Sequence, residues 1–163
     1  MTILGHVALA REDYESAKQL YLRCLKISQR TGFNYSLQTS SKYLAKVYFL
    51  MGDYVEAEKY LVLCLTLTKE VSFIRDVINL LYEFARLKAA QGNLEAAVEL
   101  LALVIPHPTS SQTRWREGRI RDSAKSLLAT LEAELPTKIY AAALENGQSL
   151  ILEEIIDDLI GKK

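Results

Sequence analysis

Met51-Gly52-Asp53-Tyr54-Val55-Glu56-Ala57 is the stretch on which the fold turns, because the chain contains it three times. The other copies read Arg11-Glu12-Asp13-Tyr14-Glu15-Ser16-Ala17 and Gln91-Gly92-Asn93-Leu94-Glu95-Ala96-Ala97, so the alanines recur every 40 residues. The register continues downstream through Leu20, Tyr60 and Leu100, then Tyr21, Leu61 and Leu101, then Cys24, Cys64 and Val104. Upstream, Leu4-Gly5 aligns with Leu44-Ala45 and Phe84-Ala85. A fixed period of this length marks a repeat architecture, in which each unit buries its apolar face only by stacking on its neighbours.

Each copy reads as two helices joined at the quoted turn. Asp13, Asp53 and Asn93 are placed to cap the second helix by accepting from its first free N–H groups. Asp53 with Glu56 has the spacing of a reciprocal capping box. Gly32 is a C-terminal stop for the second helix of copy one, and Pro106 and Pro108 end copy three. Ala17, Ala57 and Ala97 are expected to face the first helix of their own pair, where a small side chain lets two helices approach closely.

These residues resemble the tetratricopeptide repeat: Leu4-Gly5, Asp13-Tyr14, Ala17, Tyr21 and Cys24 in copy one, and Leu44-Ala45, Tyr48, Gly52-Asp53-Tyr54 and Ala57 in copy two. That family's usual period is about 34, so the longer spacing implies longer helices. HEAT and armadillo repeats have lengths nearer this one but lack the Gly-Asp-Tyr turn with Ala four residues after Asp. The resemblance implies an all-α fold. It would be a right-handed α-α superhelix of three hairpins, residues 1–32, 36–71 and 75–105, with a helical C-terminal cap at 109–163. Only three residues precede Leu4, so the first helix is short by about a turn, which implies a piece of a longer array.

Beyond Pro108 the period stops. Thr109-Ser110-Ser111 offers caps for a further helix. Ile120, Ala124, Leu127, Leu128, Leu131 and Leu135 then form one helical stripe. Pro136 opens another helix, which Asn146-Gly147 is expected to stop. In the last helix Ile151, Leu152, Ile155, Ile156, Leu159 and Ile160 point inward and Glu153, Glu154, Asp157 and Asp158 outward. Leu131-Glu132-Ala133-Glu134-Leu135-Pro136 and the run from Ala141 to Glu154 resemble the C-terminus of large bacterial signal-transduction ATPases and transcription regulators. In those, a tetratricopeptide sensor region follows a nucleotide-binding domain. Relatives carry Ser or Asp before the last helix, where this chain has Ile151.

Composition narrows the function. Lys+Arg and Asp+Glu both number 20, a balance that argues against a nucleic-acid binder, and no apolar run reaches the length of a membrane span. There is no phosphate-binding glycine loop, so no nucleotide cofactor is implied. His6 and His107 stand apart from any metal-spaced partner. Cys24 and Cys64 share one repeat position and read as reduced core residues of a cytoplasmic chain. No arrangement suggests catalysis. Arg114-Trp115-Arg116-Glu117-Gly118-Arg119-Ile120-Arg121 is basic with an aromatic, but its acids and its helical stripe read as a packed helix start.

The resemblance instead implies a partner-binding concave face, lined by the first helix of each pair. Its residues are His6 and Leu9; Thr39, Lys42, Lys46 and Phe49; and Asn79, Tyr82 and Arg86. Lys42, Lys46 and Arg86 would make it basic and Phe49 and Tyr82 would supply apolar anchors, a surface suited to an acidic or amphipathic peptide. Homo-oligomerisation through open array ends and sensing of a small inducer are the alternatives.

Overall fold

Three capped turns divide most of the chain into helical hairpins. The computed structural model describes residues 2–71, 74–111 and 120–161. Its helices are α1 (Thr2–Ala10), α2 (Tyr14–Thr31), α3 (Asn34–Leu50), α4 (Tyr54–Val71), α5 (Ile74–Ala90), α6 (Leu94–Val104), α7 (Ile120–Glu134), α8 (Thr137–Ser149) and α9 (Leu152–Ile160). A short 3-10 turn spans Pro108–Ser111. Among the described residues every regular element is helical, the all-α repeat class expected from the sequence. Contacts group the chain into two compact units, Met1–Val71 and Ser72–Lys163. The third hairpin therefore shares a unit with the C-terminal helices.

The turns work as capping chemistry requires. The amides of Ser16, Glu56 and Ala96 donate to the side chains of Asp13, Asp53 and Asn93 at 3.1, 3.2 and 3.4 Å. The capping box at Asp53 is one-sided, however. The Glu56 carboxylate takes Lys59 at 3.1 Å instead, while the Asp53 N–H donates to the Tyr48 carbonyl at 2.9 Å. Gly52 and Gly92 adopt φ of 79° and 81°, a left-handed conformation that costs glycine little. Copy one has Glu12 there, at φ 60°, and so holds a side chain where its sister turns have none.

In unit one the core is built across the hairpins. Ala17 and Ala57 are fully covered, together with Tyr21, Leu44, Val47 and Leu65. Tyr21 stacks on Tyr43 with ring centres 5.2 Å apart, and Tyr48 on Tyr60 at 5.4 Å. Gly5 lies under Tyr21 so closely that an added Cβ would meet the ring at 2.7 Å. The equivalent pairs in the other copies are Ala45 with Leu61 and Ala85 with Leu101. The larger ring is thus matched by the smaller helix residue.

In unit two, α6 packs against both α5 and α8. Gly147 makes that second contact, and it corrects the sequence expectation. Asn146-Gly147 does not stop α8, which continues to Ser149. Gly147 is buried mid-helix, where a Cβ would run into the Glu99 carbonyl and the Ala102 side chain, and Asn146 donates to the Glu99 carboxylate at 3.3 Å. Thr109-Ser110-Ser111 likewise forms the 3-10 turn. Ser110 donates back to the carbonyls of His107 and Ile105 at 2.7 and 3.1 Å rather than forward to a helix. In α9 only Ile156 of the expected inward set is buried; Ile151 is 52 % exposed and makes no side-chain cap.

Two outcomes follow for stability. Gly5→Ala should be about 1–2 kcal/mol more favourable in a Tyr21→Leu background than in the parent, by urea denaturation of the four proteins of the cycle. Additive effects would show that the ring does not set the size of residue 5. Glu12→Gly should raise stability by about 0.5–1 kcal/mol, the left-handed strain relieved less the added freedom of the unfolded chain. A lower melting temperature would contradict that.

Candidate functional site

The residues implied as a binding face stand in different environments in the two units. In unit one, α3 carries Thr39, Lys42, Lys46 and Phe49 at spacings of three, four and three residues, which places them along one side of the helix. Lys42 and Lys46 are exposed and have no acid or hydrogen-bond acceptor as partner among the described residues. Thr39 is half-buried and spends its hydroxyl proton on the Tyr35 carbonyl at 2.8 Å. Phe49 is half-buried, its ring tilted against Tyr54 at 5.7 Å. This stripe therefore offers two bare ammonium groups with an aromatic one turn beyond.

His6 and Leu9, on α1, are half-buried. The His6 ring lies 4.3 Å from Tyr43 and 5.9 Å from Tyr21, so it belongs to the aromatic cluster. Its Nε2 is buried without a hydrogen-bond partner, as is the Tyr21 hydroxyl. Burial raises the Tyr21 phenol well above its usual pKa. His6 thus packs within the hairpin's aromatic cluster.

In unit two the corresponding face is occupied. Asn79 is only 7 % exposed. Tyr82 is half-buried, and burial raises its phenol pKa, while Arg86 and a hydrogen bond with Ser123 of α7 pull the other way. Arg86 is paired with Glu83 at 2.7 Å and lies 6.0 Å over the Tyr82 ring. The reason is packing: α7 and the Pro108–Ser111 turn both lie against α5. Asn79 is therefore covered and Arg86 already engaged by Glu83. The neutralising signal was present in the sequence, since Glu83 precedes Arg86 by three residues.

Other candidates resolve toward structure. Cys24 and Cys64 are both buried, and the Cys64 thiol donates to the Gln38 carbonyl at 3.6 Å. Arg121 donates to the Ser110 hydroxyl at 3.0 Å and the His107 carbonyl at 3.2 Å, tying α7 to the turn before it. The rest of the basic stretch, residues 112–119, lies outside the described residues. A cleft of about 210 Å³ in unit two is lined by Ala96, Leu100, Leu150, Ile155 and Leu159 with Lys88, Glu99 and Asp158. That is smaller than the usual 300–1,000 Å³ of a ligand pocket. Among the described residues no three His, Cys, Asp or Glu side chains could share a metal ion, and no helix is long and apolar enough to cross a membrane.

The profile of the tetratricopeptide repeat matches residues 1–70 and again residues 35–106, so consecutive hairpin pairs fit it in overlapping frames. No curated protein and no solved structure matches the chain.

The bare lysines carry a stability corollary. Lys42→Ala/Lys46→Ala should leave the melting free energy within about 0.5 kcal/mol of the parent, because exposed side chains without partners contribute little to folding. A larger loss would place these side chains in the fold rather than on a free surface.

Proposed function

The chain belongs to the tetratricopeptide repeat family, and from that membership we propose that it holds a partner protein on the Thr39–Phe49 face of α3, with Lys42 and Lys46 pairing to acidic side chains. Tetratricopeptide repeats generally mediate protein–protein interaction. The single observation that carries the finer reading is the pair of exposed lysines, without partners among the described residues, one helical turn apart beside a half-buried phenylalanine. Two ammonium groups already free need break no ion pair to bind, whereas Arg86 would first have to leave Glu83. Exposed charge pairs contribute about 0.2–1 kcal/mol each, so two give a gain of about twofold to thirtyfold in affinity. Phe49 adds apolar area at the end of the stripe.

The likeness of the C-terminal helices to those of bacterial signalling ATPases and transcription regulators supports a regulatory role in the cytoplasm, as a sensor region of such a protein. The reading is non-enzymatic, because tetratricopeptide folds are typically scaffolds.

The test is affinity capture from bacterial lysate, with the parent compared to Lys42→Glu/Lys46→Glu. The parent should retain a protein that the variant loses by about tenfold or more, and retention should fall as salt rises from about 50 to 500 mM. Equal retention by both, in low and high salt alike, would contradict the reading.

A further inference from the structure

Charge is segregated along a chain whose total is balanced. Residues 14–50 hold six Lys and Arg against one acid, whereas residues 120–161 hold eight Asp and Glu against three bases. Part of the basic excess forms one stripe. Arg23, Lys26 and Arg30 follow one another at three and four residues along α2, on the side away from the buried Ala17, Tyr21, Cys24 and Ser28. All three are exposed and have no acid or hydrogen-bond acceptor as partner among the described residues. The repeat does not require them, since the same register positions of copy two hold Leu63, Thr66 and Glu70. Nor does stacking cover this side. Successive second helices, α2 and α4, do not pack on one another as α2 does on α3, so a helix preceding α1 in the register would lie on α1 and leave the stripe open.

We infer that this stripe binds the acidic outer face of α9 in a second copy of the chain. Charge complementarity selects that occupant. Helix α9 carries four acids and no base, and Glu153, Glu154 and Asp158 are exposed. Each face also has an exposed isoleucine at its edge. Ile27, 46 % exposed, stands four residues after Arg23 and three before Arg30. Ile151, 52 % exposed, stands three residues before Glu154. Two helices laid side by side can thus meet on a small apolar contact flanked by opposite charges, the layout of an apolar core within a polar rim. The two patches differ, so the contact is heterologous, and a copy that has used one patch still offers the other. Single helix faces cover far less than the ~800 Å² per partner of a standard interface, so the association is weak, and screening by salt weakens it further.

Sedimentation equilibrium from on the order of 10 μM to 1 mM, in about 20 mM and about 500 mM salt, tests it. In low salt the average mass of the parent should rise above the monomer across that range, and in high salt it should not. Arg23→Glu/Arg30→Glu and Glu153→Lys/Glu154→Lys should each stay monomeric in low salt. An equimolar mixture of the two should recover association, because each variant keeps the patch that the other has lost. Lys42→Glu/Lys46→Glu, which changes the net charge as much as the α2 variant does, should associate as the parent, and so separates this contact from the partner face of α3. Circular dichroism should show unchanged helix in all variants, these positions being solvent-facing. A parent that stays monomeric at the highest concentration in low salt overturns the proposal, as does association lost in the α3 variant and kept in the α2 variant, or a mixture that fails to recover it. A monomeric parent whose α2 stripe instead retards a single-stranded oligonucleotide would overturn it in favour of nucleic acid.

Discussion

Everything in this chain depends on how closely two helices can approach at a single small residue. Ala17, Ala57 and Ala97 are the same position in three hairpins and are at most 1 % exposed. Opposite them, Gly5, Ala45 and Ala85 let the next residues of the register, Tyr21, Leu61 and Leu101, fill the space. Glycine lies under the tyrosine ring in copy one, and the register sets alanine and leucine at the same positions in the other copies. Interiors packed this densely have no room for a mismatch, so one position constrains its partner twenty residues away or less. Gly147 repeats the device outside the repeats, bringing α8 onto the backbone of α6.

Much of this was legible because it is local. A cap needs an acid or amide at the first position of a helix, and Asp13, Asp53 and Asn93 occupy those positions with their side chains engaged as expected. A period of 40 residues needs only the sequence to be seen. What was misread depends on a neighbour distant in sequence. Gly147 reads as a helix stop until α6 is placed beside it. That α7 packs on α5 likewise could not be read from the repeat register alone. The strain at Glu12 is hidden for another reason: its turn is dictated by the sister copies, and only their glycines disclose that a side chain there is out of place.

The same distinction separates the two halves of the expected binding face. In copy three both cation and aromatic are engaged, Arg86 locally with Glu83 and Tyr82 with Ser123 of α7. In copy two, Lys42 and Lys46 have no acid three or four residues away on their own helix, so nothing local can neutralise them. The chain thus keeps one repeat helix charged and open while its C-terminal helices close another. A repeat scaffold gains a specific surface in this way without altering the packing that holds it together.

The most direct measurement of that account is an NMR titration of the isotope-labelled chain with a glutamate-rich peptide, followed at the backbone amides and the lysine Nζ groups. Shifts concentrated on Thr39–Phe49, with Lys42 and Lys46 Nζ the most affected, are the predicted result. Shifts centred on α5 and α7, or none up to millimolar peptide, would contradict it.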